Sequence, residues 1–234
     1  MFHFKQFSIK QADSAMKVGT DAMILGAVID CSNKTRCLDI GAGTGVLSLM
    51  MAQQNSDIKI DAVEIDELSA KECQDNFQNS PWFERLIVNQ LDFLDYSSEK
   101  KYDLIFSNPP YYSTTNLNED VRKAQARHVE SLPVREMILK IKTLLTVDGE
   151  FWVIFPHSEK TKWFLNAEST GLRVKTAISI RGKAEKEANR VILCFNRSAI
   201  QTEEKEFVVR NVDNSYTKEY IELTNEFHSI DLRK

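Results

Sequence analysis

The sequence predicts an α/β domain: a mostly parallel sheet with helices on both faces. Three observations support this. Strand-like and helix-like segments alternate from Arg36 onward. A glycine-rich turn, Gly41-Ala42-Gly43-Thr44-Gly45, joins the first strand to the first helix. Acidic or polar residues then recur where later strands end, at Glu64, Asp92 and Asn108.

The elements follow in order. Arg36–Ile40 is a short apolar run, read as a buried strand. Thr44–Gln53 carries a helical apolar pattern through Val46, Leu47, Leu49, Met50 and Met51. Lys59–Glu64 alternates like a strand, and Glu67–Gln78 reads as a helix. Leu86–Val88 and Tyr102–Ser107 are the third and fourth strands. Pro133–Leu145 is a helix with proline in its first turn, closed by Asp148-Gly149. Phe151–Phe155 is an apolar fifth strand stopped by Pro156, and Glu159–Ser169 is a helix ended before Gly171. Leu172–Ile180 and Arg190–Phe195 are the last strands; with no helix between them they form an antiparallel pair at one edge. Residues 1–35 are expected to be an extension packing on the main domain at 36–198, and 199–234 a C-terminal extension of it. In that tail Phe207-Val208-Val209 is strand-like and Tyr216–Leu223 helix-like.

Bulk properties narrow the class. A chain of 234 residues with net charge −4 buries a core without staples. No apolar run approaches the roughly 20 residues of a membrane span, and Met1–Phe7 lacks the pattern of a signal peptide. A cytoplasmic monomer with no membrane contact is expected. Cys31, Cys37, Cys73 and Cys194 form no Cys-x-x-Cys pair and read as reduced core thiols; no metal-ligand spacing is present.

The glycine turn has the spacing Gly-x-Gly-x-Gly, which differs from the Gly-x-Gly-x-x-Gly loop that cradles a pyrophosphate. A cofactor without phosphate suits it. S-adenosyl-L-methionine has none, and its ammonium group suits a nearby acid such as Asp39. Glu64 is placed to accept from ribose hydroxyls, Asp92 from an adenine amino group, and Phe93 to pack on the ring. Each acid alone would also serve as a loop-capping carboxylate. Together, at successive ends on one rim, they read as a cofactor site built on Asp39, Gly41, Gly43, Gly45, Glu64, Asp92 and Phe93.

Asn108-Pro109-Pro110-Tyr111 directly follows the fourth strand. The prolines stiffen the turn and remove N–H donors. That leaves the Asn108 side-chain carbonyl and the Pro109 backbone carbonyl as acceptors, a match for the two hydrogens of a planar –NH₂ group. Holding those hydrogens exposes the nitrogen lone pair to a methyl sulfonium, by positioning and without a strong base. Tyr111 offers a face for a planar substrate. The alternative is a proline-rich turn with a capping asparagine.

At this point the chain resembles the class I, Rossmann-like methyltransferases across roughly residues 35–196. Asp39–Gly45, Glu64, Asp92 and Asn108–Tyr111 look like their successive cofactor and catalytic motifs, and Asn108 is counted in both. The resemblance implies a seven-stranded sheet with an antiparallel last strand. It also implies methyl transfer to adenine N6, guanine N2 or glutamine N5. A narrower resemblance rests on Lys17-Val18-Gly19-Thr20-Asp21-Ala22, Ala126-Arg127-His128 and Arg190-Val191-Ile192-Leu193. These look like the bacterial family that methylates N6 of adenine-37 in tRNA1(Val), with Ala22 where that family often has glycine. Thr20 and Asp21 would then meet the cofactor's methionine end.

tRNA is the partner this implies. Between Gly171 and Arg197, seven cations face two acids, a candidate phosphate-binding patch containing Arg181, Lys183, Lys186 and Arg190. A solvated charged loop is the alternative. Tyr111 and Tyr112 would stack on a flipped base. Arg127 and His128 would grip RNA or pin the long polar loop they sit in. Competing functions are glutamine-N5 methylation of a protein, guanine-N2 methylation of rRNA, and a non-catalytic scaffold that binds the cofactor. The short N-terminal stretch argues against the first, and an intact Asn108 against the last.

Overall fold

A computed structural model describes residues 1–12, 14, 17–109 and 134–233. A small hairpin, β1 (Phe2–His3) and β2 (Ser8–Ile9), precedes helix α1 (Thr20–Val28). The main sheet then alternates with helices: β3 (Arg36–Ile40), α2 (Val46–Gln54), β4 (Lys59–Glu64), α3 (Glu67–Gln78), β5 (Leu86–Gln90) and β6 (Tyr102–Ser107). After residue 133 come α4 (Val134–Leu144), β7 (Leu145–Pro156), α5 (Lys160–Thr170), β8 (Arg173–Lys183), β9 (Arg190–Asn196), β10 (Glu203–Arg210) and α6 (Lys218–Thr224).

The sheet order is β10-β8-β9-β7-β6-β3-β4-β5, eight strands in all. Every pairing is parallel except those of β9, which runs antiparallel to both β7 and β8. Two expectations are corrected here. β8 and β9 are antiparallel to each other, but β9 lies inside the sheet and the edge belongs to β10. The tail supplies this eighth strand because Phe207 and Val209 are buried, and Tyr220 of α6 packs in the same cluster. A third correction concerns Asp148-Gly149, expected to close a helix. α4 ends at Leu144, and Leu145 already pairs with Tyr102. The register then shifts before Leu104 meets Glu150. Gly149 fits there because a Cβ would stand 2.9 Å from the Tyr102 carbonyl oxygen. Pro133 lies outside the described residues.

Both faces of the sheet are covered, so its central strands are apolar throughout and divide by parity. Cys37, Leu104, Phe106, Trp152, Ile154, Ile192 and Cys194 join α1, α2, α3 and α6 on one face. Leu38, Ile40, Ile105, Phe151, Val153, Phe155, Leu193 and Phe195 join α4 and α5 on the other. The four cysteines are free and buried. Burial pushes the Cys31 thiol up to about 11 and Cys37 and Cys73 well above the ordinary range.

α1 and the two ends of the chain share the first core. Ala22, Met23, Ile24, Leu25 and Gly26 are all buried, and Gln54 Nε2 donates to the Gly26 carbonyl. Gln53 Nε2 donates to Glu226 O, and Lys5 N to Phe227 O. The segment before α1 is latched to α3. The buried Glu72 carboxylate accepts from Ala12 N at 2.7 Å and Ser14 N at 2.9 Å. Asn76 accepts from Lys10 N and donates to both Lys10 O and Thr44 O, so one side chain ties this segment to the glycine turn.

Gly45 caps α2 at φ +79°, and a Cβ there would stand 2.5 Å from the Phe77 ring and 2.7 Å from Cys73 Sγ. Gly45→Ala therefore combines left-handed strain with overpacking against α3. A loss of about 3 kcal/mol is expected from urea denaturation.

Candidate active site

The chain leaves β3, builds β4 and β5 to one side, and returns through β6 on β3's other side. This is the topological switch point of the sheet, where the turns after two adjacent strands diverge and leave a crevice. The register places what lines it. Ile40 pairs with Ser107, and Ser107 Oγ donates to Ile40 O at 2.8 Å. The residues that follow each, Gly41 and Asn108, therefore start from neighbouring strand ends about 4.8 Å apart. Asn108 and Pro109 are both partly exposed there.

Gly41 and Gly43 have φ +67° and +54°, and a Cβ on either would meet nothing within 4 Å among the described residues. Their backbone conformation requires glycine, while the space in front of them is open. Gly41 N and Ala42 N both donate to Val63 O, so β4 fixes the turn.

Asp39 shares strand parity with Cys37 and points under α2. It is fully buried; its Oδ2 accepts from Ser48 Oγ at 2.7 Å, and its Oδ1 has no hydrogen-bond partner among the described residues. Burial pushes its carboxyl up to about 7, against the hydrogen bond from Ser48, with Glu64 adding a smaller upward push. A buried carboxylate oxygen without a donor fits a cationic ligand group, and the open glycine turn fits a ligand lying against backbone. On both counts these residues suit S-adenosyl-L-methionine.

The raised value gives a pH dependence. The folded chain keeps a proton that the unfolded chain releases near 3.8, so stability of the cofactor-free protein falls as pH rises from 3.8 to about 7 and is level above that. Cofactor affinity rises with pH up to about 7, because an ammonium group favours the carboxylate. Asp39→Asn is expected to flatten both profiles, read by denaturant titration and calorimetry at several pH values. A variant that keeps the slopes would place the titration elsewhere.

Glu64 is 8 % exposed and does more than face a ligand. Its Oε2 accepts from Gly43 N at 2.8 Å and its Oε1 from Asp66 N at 2.9 Å. It thus clamps the glycine turn to the start of α3, leaving the remaining lone pairs for hydroxyl donors. Asp92 is partly exposed and accepts from Leu94 N at 2.8 Å, a turn-capping role. Phe93 is 4 % exposed, in the core cluster with Ile40 and Val63, so packing accounts for it.

Thr20 and Asp21 lie on the same rim but farther along. Asp21 Oδ2 accepts from Arg190 Nε at 2.7 Å, and Arg190 heads β9, three strands from β3. Asp21 and Arg190, read from sequence as contacts for different ligands, are paired with each other. The basic stretch is also divided. Because β8 and β9 run antiparallel, Arg173, Lys175 and Arg197 fall at the opposite rim. Lys175 binds Glu150, and Arg197 donates to Lys142 O. Arg181, Lys183, Lys186 and Arg190 stay on the site's rim, with Arg181 held by Glu206 at 2.8 Å. Pro110, Tyr111, Tyr112, Arg127 and His128 lie outside the described residues.

Three contributors escaped the sequence reading. Ser48 interrupts the apolar run Val46-Leu47-Ser48-Leu49, and that break was its signal. Ser107 locks the two strand ends together. Ile65, 62 % exposed between Glu64 and Asp66, puts an apolar side chain beside the candidate ribose site.

Comparison with known proteins agrees with this geometry. The model of the methyltransferase small domain matches residues 6–177. The chain belongs to this methyltransferase family. A tRNA1(Val) (adenine(37)-N6)-methyltransferase of Flavobacterium psychrophilum is 39% identical over 231 residues, covering 97% of this chain and 99% of the relative. The protein of that name from Aeromonas hydrophila is 37% identical over 228 residues, 97% and 96% of the two chains. Among solved structures, a predicted O-methyltransferase from Agrobacterium tumefaciens superposes with TM-score 0.68 at 15% identity, covering 90% of this chain and 98% of that one. A TehB-like SAM-dependent methyltransferase from Corynebacterium glutamicum gives 0.53 at 15% identity, covering 79% and 90%. These structures establish the Rossmann-like methyltransferase fold, with β10 added to the expected seven strands.

Proposed function

We propose that this methyltransferase moves a methyl group from S-adenosyl-L-methionine to N6 of an adenine in tRNA, adenine-37 of tRNA1(Val). The observation that carries this reading is the Ile40–Ser107 register, which sets Asn108 beside the glycine turn. Relatives bearing that activity in their names match over nearly their whole length.

When bound, the cofactor supplies an electrophilic methyl group on a sulfonium. The chain's own residues orient the acceptor. The Asn108 side-chain carbonyl and the Pro109 backbone carbonyl accept from the two amino hydrogens, which directs the nitrogen lone pair toward the methyl. Tyr111 stacks on the adenine, which leaves its own stack to enter the crevice. Asp39 faces the cofactor's ammonium group, Glu64 its ribose and Asp92 its adenine. Arg127 and His128 contact the RNA.

The protein works as a monomer in the cytoplasm, where its substrate is made. Among the described residues no helix is long and apolar enough to cross a membrane.

Purified protein incubated with labelled cofactor and unmodified tRNA-Val transcript should yield N6-methyladenine at position 37, located by nucleoside mass mapping. Methylation at guanine N2, or of a protein glutamine and not the transcript, would overturn the reading.

A further inference from the structure

The rim that carries Gly41 and Asn108 continues past β7 to a cleft of about 410 Å³, lined by Thr20, Asp21, Lys183, Lys186, Arg190 and Arg210 among others. The topology puts it on that rim. Pro156 at the end of β7 pairs with Arg190 at the head of β9, Arg190 with Ile180, and Lys183 with Arg210. Arg210 comes from the eighth strand, so the tail that completes the sheet also supplies part of the cleft's lining.

Its lining carries four cations and two acids, Asp21 and Glu187, one of them engaged by Arg190. The cations are set in place. Arg210 lies 4.0 Å over the Tyr216 ring and donates to Asn214 O, which holds its planar head at the rim. Lys183 and Lys186 flank the β8–β9 turn, closed by Lys186 N donating to Lys183 O. Two ammonium groups, one donating to Val212 O, beside a stacked guanidinium suit a phosphodiester.

We propose that this cleft is a phosphodiester subsite that holds the RNA backbone at a fixed distance from the base being methylated. It rests on the reading that RNA is the substrate. The distance follows from the sheet. β8 is three strands from β6, or roughly 14 Å at ordinary strand spacing. The held phosphate therefore belongs to a nucleotide a few positions from the target adenine, beyond the two phosphates that flank it. The Asp21–Arg190 pair joins this cleft to α1, so RNA binding and the segment leading into the cofactor side share one contact.

The test combines three measurements on the full chain. The double variant Lys183→Gln/Lys186→Gln is compared with wild type and with Lys59→Gln/Arg173→Gln, the same charge change at the opposite rim. Binding of labelled tRNA-Val by fluorescence anisotropy across salt should show the slope of log affinity against log salt lowered by about one per lysine, only in the first variant. KM for tRNA should rise several-fold with kcat kept. In wild type, ethylating a phosphate a few nucleotides from the methylated adenine should block binding, and the first variant should lose that interference. Equal salt slopes, or interference confined to phosphates flanking the target, would overturn the cleft's role. If wild type fails to methylate the transcript, the functional reading falls. The slope comparison on the same labelled tRNA still decides the cleft: a lower slope in the first variant supports it and equal slopes overturn it.

Discussion

Asn108→Ala should lower kcat about 100- to 1000-fold and leave cofactor affinity largely unchanged, because losing one preorganised acceptor typically costs that much. The side chain stands at the end of β6, after Ser107, whose hydroxyl ties β6 to β3 and is untouched by the change. Single-turnover methylation and cofactor calorimetry separate the two effects. Asn108→Asp refines the test, since a carboxylate still accepts hydrogen bonds but adds charge beside the methyl donor. Wild-type turnover in the alanine variant would remove Asn108 from the mechanism.

Glu64→Ala should weaken cofactor binding at least tenfold and lower the melting temperature of the cofactor-free protein. From the sequence this residue is a ribose acceptor, with a loop-capping carboxylate as the alternative. The structure adds that its two oxygens receive Gly43 N and Asp66 N, so truncation strands two backbone donors at about 1–3 kcal/mol for each that stays buried. Glu64→Gln separates the roles. Its amide keeps one acceptor oxygen for the turn but places an NH₂ group against the other backbone N–H. A variant with reduced stability and unchanged affinity by calorimetry would confine Glu64 to clamping the turn.

Local features of this protein were legible because their causes are local. Gly41, Gly43 and Gly45 mark positive φ, a property of single residues. The runs Arg36–Ile40, Tyr102–Ser107 and Phe151–Phe155 read as strands because both faces of each are buried, and Asn108-Pro109 marks its own turn. The strand ends therefore named most of the candidate site.

The tail was harder to place: Glu203–Arg210 begins with four exposed charged residues, and only Phe207 and Val209 show what it packs on. Nothing in its own pattern says that it pairs with β8. The basic run 173–197 looked like one patch because charge adds along a sequence. An antiparallel turn sent its two ends to opposite rims.

By itself, the sequence determined the central strands of the sheet, where glycine is required and which residues can accept from an amino group. Only the tertiary structure decided that Ile40 lies against Ser107, that Asp21 pairs with Arg190 across 169 positions, and that Arg210 closes a cleft with Lys183. The reason is physical. Backbone conformation and burial period are set within a few residues. Pairing between distant segments depends on which long loops close for the burial gained, and no single stretch of sequence carries that information.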